Sequence, residues 1–82
     1  MNRLNLNNYF KTSDLSLATA ISLWYPVEVI DKTDPHKAIF LFKRDEKLDE
    51  LLGAYWKREL KVEPQLYFQQ LKAIKARLYG EK

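Results

Sequence analysis

Cysteine is absent from this 82-residue sequence, and glycine and proline are scarce, with two and three copies. Without cysteine the chain has no disulfide framework, no thiolate nucleophile and no zinc site of the sulfur-rich kind. Gly53 and Gly80 lie far apart, so no glycine-rich loop is available to cradle a phosphate. These absences argue against a disulfide-stabilised scaffold and against nucleotide hydrolysis.

Long apolar runs are also missing. The longest uncharged segment covers residues 15–27, and it includes serine, threonine and proline. A helix that spans a bilayer needs about 20 consecutive apolar residues. The N-terminus lacks the basic start and apolar core of a secretory signal. We therefore expect no membrane partner and a cytoplasmic location.

The composition is nevertheless that of a chain that folds. Hydrophobic residues make up 46% of the sequence and aromatic residues 13%, which is above the range typical of disorder. The length allows one core. We predict a single domain over residues 12–82, preceded by a lightly held, asparagine-rich arm at residues 1–11. The predicted core consists of Leu17, Ile21, Trp24, Val29, Phe40, Phe42, Leu48, Leu52, Tyr55, Leu71, Ile74 and Leu78.

Three helices are indicated by capping residues and apolar spacing. Asp14 and its neighbours supply capping oxygens for a first helix over about residues 13–24, which Pro26 ends. Asp45 caps the second helix, and Pro64 suits the first position of the third. Gly53 lies inside the second helix at a cost on the order of 1 kcal/mol, which predicts a close packing contact there.

Two β-branched and aromatic runs, residues 27–31 and 38–43, flank the turn signal Asp34-Pro35. This pattern predicts an antiparallel hairpin. The second run is apolar on both faces, which predicts that this strand is covered on both sides or nearly so. The expected fold is a small α+β domain in which a helix, a β-hairpin and two further helices follow one another, with the last two packed on the hairpin.

Catalytic chemistry has little support. The single histidine, His36, falls in the predicted turn, where a solvated residue is the simpler interpretation than a general base or a metal ligand. Two carboxylate pairs, at residues 45–46 and 49–50, belong to an exposed helix face with bases interleaved, which is typical of a solvated surface. We therefore expect no enzymatic activity, no metal and no cofactor.

The net charge of +3 is distributed unevenly. Residues 1–42 are neutral, with four bases and four acids, whereas residues 43–82 carry ten bases and seven acids. One hypothesis is nucleic-acid binding, with Tyr79, and Tyr67 or Phe68 if exposed, stacking on unpaired bases. The simpler alternative is a solvated helix face on which lysines cover aromatic stems. The predicted phosphate contacts are Lys57, Arg58, Lys61, Lys72, Lys75 and Arg77.

Adjacent aromatic residues support a second hypothesis. Neighbours such as Trp24-Tyr25 and Tyr55-Trp56 point in different directions around a helix, so one member of each pair is expected to be exposed. Exposed aromatic rings near bases are enriched at protein interfaces. Tyr25 and Trp56 are the predicted contacts of a protein partner or a homodimer.

Several segments together carry a resemblance to a known family. They are residues 9–18, 40–42, 45–46, 55–56, 60–67, 71–75 and 78–79. In this order the chain resembles a family of small uncharacterised bacterial and phage proteins, a domain of unknown function, over nearly its whole length. The resemblance implies a stand-alone folded unit without assigned activity or site residues. Tyr25-Pro26 replaces a glycine that is frequent in the family, which affects only a local turn.

Overall fold

The computed structural model describes residues 8–80. Three helices and a three-stranded antiparallel sheet confirm the α+β prediction. The first seven residues of the predicted arm and the last two residues of the predicted domain lie outside this range. The elements are β1 (Tyr9–Thr12), α1 (Leu15–Ser22), β2 (Val29–Asp34), β3 (Lys37–Lys43), α2 (Glu46–Trp56) and α3 (Pro64–Gly80).

Strand β1 differs from the arm that the sequence predicts at residues 1–11. It pairs with β3 in antiparallel fashion, with Tyr9 opposite Lys43 and Thr12 opposite Phe40. A hairpin leaves one edge of each strand unpaired, and β1 supplies hydrogen-bond partners to the free edge of β3. The sheet therefore has the order β1-β3-β2, with the most apolar strand at its centre.

The hairpin between β2 and β3 confirms the predicted pairing. Ile30 lies opposite Phe40, and the register shifts between Asp31 and Asp34. In the turn, the Asp34 carboxylate accepts a hydrogen bond from the backbone N–H of His36 at 2.9 Å. His36 is exposed in this turn.

Helix α1 lies at the centre of the molecule. Five consecutive residues, 17–21, are buried, which means that the helix is covered on all sides. It contacts β1, α2 and α3. The one buried polar residue among these five, Thr19, donates its hydroxyl hydrogen bond to the Leu15 carbonyl at 2.8 Å. The core therefore forms around α1, where Leu17 and Ile21 pack with Phe40, Phe42, Leu48, Leu52 and Ile74.

Two of the predicted core residues are exposed, and their inclusion was wrong. Trp24 is 52% exposed because α1 ends before it and the ring turns to the surface beside α2. Val29 is 47% exposed because it faces away from the helices, whereas the next residue, Ile30, packs against the core. Successive side chains of a strand point to opposite faces of the sheet, so a prediction that is off by one residue assigns the wrong side chain to the core. On the outer face Leu41 is nevertheless buried, so β3 is largely covered on both sides.

The helix ends follow the predicted capping residues. Asp14 accepts hydrogen bonds from the N–H groups of Ser16 and Leu17, and Asp45 accepts one from Leu48. The close contact predicted at Gly53 was wrong, because a Cβ atom built there meets nothing within 4 Å. Within residues 8–80, no helix has the length and hydropathy needed to cross a bilayer.

Candidate nucleic-acid interface

Helix α3 is the most basic element of the described chain. Its 17 residues include three bases and no acid. It buries one side, where Ile74 is inside the core and Leu78 packs against it half-buried. The remaining surface of α3 faces solvent, which makes its outer face available for a ligand.

One exposed stripe on this outer face combines aromatic rings with bases. Phe68, Lys72, Lys75 and Tyr79 stand at positions i, i+4, i+7 and i+11, which lie on one side of a helix. We call these four residues the α3 stripe. Phe68 is 58% exposed and Tyr79 is 74% exposed, and both lysines are exposed as well. At about 1.5 Å per residue the stripe is about 16 Å long.

Hydrogen bonds to α1 hold α3 in the rotation that presents this stripe. The hydroxyl of Tyr67 donates to the Ser16 carbonyl at 3.1 Å, and the side-chain amide of Gln70 donates to the Ser22 hydroxyl at 3.1 Å. Burial raises the pKa of Tyr67, with the neighbouring Tyr55 adding to the effect. Tyr67 is therefore an anchoring residue, and of the two candidate stacking rings Tyr67 and Phe68 only Phe68 is exposed.

Arg77 does not share the stripe. It lies five residues after Lys72, which is about 140° around the helix. Its guanidinium donates a hydrogen bond to the Val27 carbonyl at 3.3 Å, and its own carbonyl accepts one from Lys32 at 3.4 Å. Arg77 thus joins the C-terminal end of α3 to β2 and to the segment that precedes it.

Lys57, Arg58 and Lys61 are exposed at the end of α2 and in the link that follows. Arg58 has a φ of 63°, and the N–H groups of Arg58 and Glu59 bond to the carbonyls of Tyr55 and Ala54. This is the Schellman ending of a helix. Within residues 8–80, no hydrogen bond or ion pair links these three basic side chains to α3. The six predicted phosphate contacts thus fall into three groups: the link, the stripe and the hairpin side of α3.

The two predicted interface aromatics differ in exposure. Trp56 is 65% exposed, with its ring edge-on to that of Tyr55 at 5.2 Å between centroids. Tyr25 is half-buried against the core. Its hydroxyl donates to the Asp45 carboxylate at 2.7 Å, which raises the pKa of Tyr25 to about 12 and lowers that of Asp45. Trp24 is the exposed member of its pair, because α1 ends at Ser22 and Trp24 lies beyond the helix.

Acidic groups elsewhere behave as surface residues. The hydroxyl and N–H of Thr33 bond to Asp31 and lower the pKa of its carboxyl. Arg44 and Asp49 form an ion pair at 3.0 Å, with both side chains about half exposed. In the part of the chain that the structure describes, no three acidic, histidine or cysteine side chains gather as metal ligands would.

A family model described as "Domain of unknown function (DUF5659)" matches residues 7–80. The match confirms the resemblance to an uncharacterised domain family. No curated protein and no solved structure matches the chain.

Proposed function

We propose that this chain, which belongs to the DUF5659 family, is a non-enzymatic cytoplasmic domain that binds single-stranded nucleic acid through the α3 stripe. One observation carries the proposal. Two exposed aromatic rings flank two exposed lysines on one face of a helix that contains no acid.

The two lysines supply the attraction to phosphate. Lys72 and Lys75 are one turn apart, where Cβ atoms of neighbouring side chains are about 5–6 Å from each other. No carboxylate of α3 competes for them, in contrast to Arg44, which Asp49 neutralises. Lysine contacts of this kind confer affinity with little sequence preference.

The two rings favour a single strand over a duplex. Bases in a duplex are stacked on one another, whereas unpaired bases are free to stack on aromatic side chains. Phe68 and Tyr79 offer such surfaces at the two ends of the lysine pair. Tyr79 lies near the end of α3, so a strand that follows the stripe runs along most of the helix.

The other bases have secondary roles in this proposal. Lys57, Arg58 and Lys61 precede α3 and extend the positive surface for a longer strand. Arg77 contributes less, because its guanidinium is engaged with Val27 on another side of the helix.

Fluorescence anisotropy with labelled oligo-uridine and oligo-thymidine tests the proposal. We expect Phe68→Ala and Tyr79→Ala each to weaken binding about 5- to 150-fold, which corresponds to roughly 1–3 kcal/mol per stacked base. A duplex of equal length should bind more weakly than the single strand.

The matched controls for this experiment are Trp24→Ala, which removes an exposed ring beside α2, and Lys47→Ala, which removes an exposed base on α2. Both variants should bind like the unmodified protein. Absence of binding at low ionic strength, or equal losses in the controls, would refute the proposal.

A protein-binding role is the second candidate, favoured by the 65% exposure of Trp56. Large exposed aromatic rings are common at interface centres. The proposed partner is a second copy of the chain. Light scattering over a concentration series should then show a dimer that Trp56→Ala abolishes and Trp24→Ala retains; a monomer at every concentration contradicts this role.

A further inference from the structure

A second surface feature lies between the hairpin turn and the C-terminal end of α3. It is an open pocket of about 630 Å³. Pockets that hold small organic ligands commonly measure about 300–1,000 Å³. The pocket brings together residues far apart in the sequence, since its walls come from the start of α1, from β2, β3 and the hairpin turn, and from α3.

One wall of this pocket is polar and basic. Lys32, His36 and Lys37 line it, and all three belong to the hairpin. The Lys32 amine also reaches the Arg77 carbonyl at 3.4 Å, which offsets the negative end of the α3 dipole. Asp34 also lines the pocket, and its carboxylate accepts the hydrogen bond from the His36 N–H. Lys32 and Lys37 bring two positive charges to this wall, Asp34 brings one negative charge, and Lys32 is itself engaged with α3.

The facing wall is apolar and aromatic. Phe40 is 2% exposed and forms part of the floor. Leu78 and Tyr79 supply the side that belongs to α3, and the Tyr79 ring is largely exposed. A flat ring that enters this pocket can therefore contact the Tyr79 ring and the apolar side chains of Phe40 and Leu78, while an anionic group attached to it can reach Lys37.

We propose that this pocket binds a nucleoside monophosphate group, with the base against Tyr79 and the phosphate at Lys37. A free mononucleotide and the phosphorylated end of a strand present the same chemistry. Binding of a free nucleotide is independent of the function proposed above, whereas binding of a strand end rests on that proposed function. Tyr79 belongs to both the pocket and the α3 stripe, which makes the two surfaces continuous.

Nuclear magnetic resonance of the ¹⁵N-labelled protein tests the pocket directly. Titration with adenosine monophosphate or uridine monophosphate should shift the amide signals of His36, Lys37 and Tyr79 in a saturable way. Adenosine alone and inorganic phosphate alone should bind more weakly than the monophosphates, because each engages one wall only.

Lys37→Ala and Lys43→Ala form a matched pair, since both lysines are exposed on β3 but only Lys37 lines the pocket. We expect Lys37→Ala to weaken monophosphate binding about tenfold, as for loss of one charge-assisted hydrogen bond. Lys43→Ala should leave it unchanged. No saturable shifts, or equal weakening in both variants, would overturn the proposal.

Oligonucleotides with and without a terminal phosphate distinguish the two sources. Tighter binding of the phosphorylated strand, lost in Lys37→Ala, identifies the strand end. Equal binding of both strands, with monophosphate binding intact, identifies the free nucleotide. The double variant Lys72→Ala/Lys75→Ala should lose strand binding and retain monophosphate binding, so failure of the stripe and failure of the pocket give different results.

Discussion

Gly53 lies inside α2 with ordinary helical backbone and open space where a Cβ would stand. Glycine in a helix interior is less favourable than alanine because its unfolded state has more conformational freedom. We expect Gly53→Ala to raise the free energy of unfolding by about 0.5–1 kcal/mol. For a domain of this size the melting temperature should rise by about 2–8 °C.

Gly80 provides the control for this substitution. It is the last residue of α3, and a Cβ there also meets nothing within 4 Å. Because helix ends fray, Gly80→Ala should change the melting temperature much less. A lower melting temperature for Gly53→Ala would contradict the open space seen beside α2.

Arg58 has the left-handed conformation that helix endings usually assign to glycine. A residue with a Cβ atom costs about 1–2 kcal/mol in that conformation. Glycine avoids this cost, but part of the gain is lost because glycine has more conformational entropy in the unfolded state. We expect Arg58→Gly to stabilise the protein by about 0.5–1 kcal/mol in urea denaturation. Arg58→Ala keeps the Cβ and should give no such gain; equal stabilisation by both variants would disprove the conformational argument.

At the level of elements, the Tyr25–Asp45 hydrogen bond joins the turn after α1 to the first turn of α2. Asp45 also caps α2 through the Leu48 N–H. One carboxylate thus orders two elements. Because Oδ1 of Asp45 accepts hydrogen bonds from the Tyr25 hydroxyl and the Leu48 N–H in the folded protein, the pKa of Asp45 is lowered, and the same contact raises the pKa of Tyr25 to about 12.

These two shifts predict opposite pH limits for the same contact. A carboxyl group whose pKa is lowered by folding stabilises the folded state at pH values above its unfolded pKa of about 3.9. This contribution is lost as the pH falls through the folded pKa. A tyrosine whose pKa is raised by folding stabilises the folded state at pH values below its unfolded pKa of about 10. This contribution is lost as the pH rises through the folded pKa.

Tyr25→Phe tests this prediction. The melting temperature of Tyr25→Phe should be lower than that of the unmodified protein at neutral pH. The difference should shrink both as the pH falls below the unfolded carboxyl pKa of about 3.9 and as it rises from about 10 towards 12. The tyrosinate absorbance step near pH 12 should disappear in Tyr25→Phe and persist in Tyr79→Phe. A neutral-pH melting temperature equal to that of the unmodified protein would show that the contact does not stabilise the fold.

Local chemistry explains how much of the secondary structure was predictable. The caps at Asp14 and Asp45 and the proline that opens α3 act within a few residues, so they were predicted correctly. Strand β1 was not predicted, although Tyr9, Phe10 and Thr12 are residue types that strands favour, because the asparagines before it indicate irregular backbone and its pairing with β3 crosses about thirty residues.

At the scale of the whole molecule, the surplus of +3 matters through its placement. Helix α3 has three bases and no acid, and the burial of Ile74 together with the hydrogen bond from Tyr67 to the Ser16 carbonyl turns two of these bases outward beside two rings. Only part of the candidate site could therefore be predicted from the sequence. The residue types were evident, whereas their division between stripe, link and hairpin side depends on how α3 packs on α1.

Salt dependence tests this arrangement across the molecule. For a single strand, the logarithm of the binding constant falls linearly with the logarithm of the salt concentration, with a slope of about −0.7 for each phosphate that the protein contacts. Lys72→Ala/Lys75→Ala should make the slope shallower by about 1.4, whereas Arg77→Ala should change it less. An unchanged slope in the double variant would exclude the α3 stripe as the phosphate-binding surface.

The sequence alone determined the elements that depend on near neighbours: two helices capped by aspartate, a third that begins at a proline, an antiparallel hairpin and one apolar core. Only the tertiary structure decided which aromatic ring of each pair is exposed, that β1 completes the sheet, and that Lys37 and Tyr79 line one pocket. The physical reason is range. Capping and periodicity act over one or two helical turns, whereas a surface forms from elements whose relative rotation is set by the packing of distant side chains.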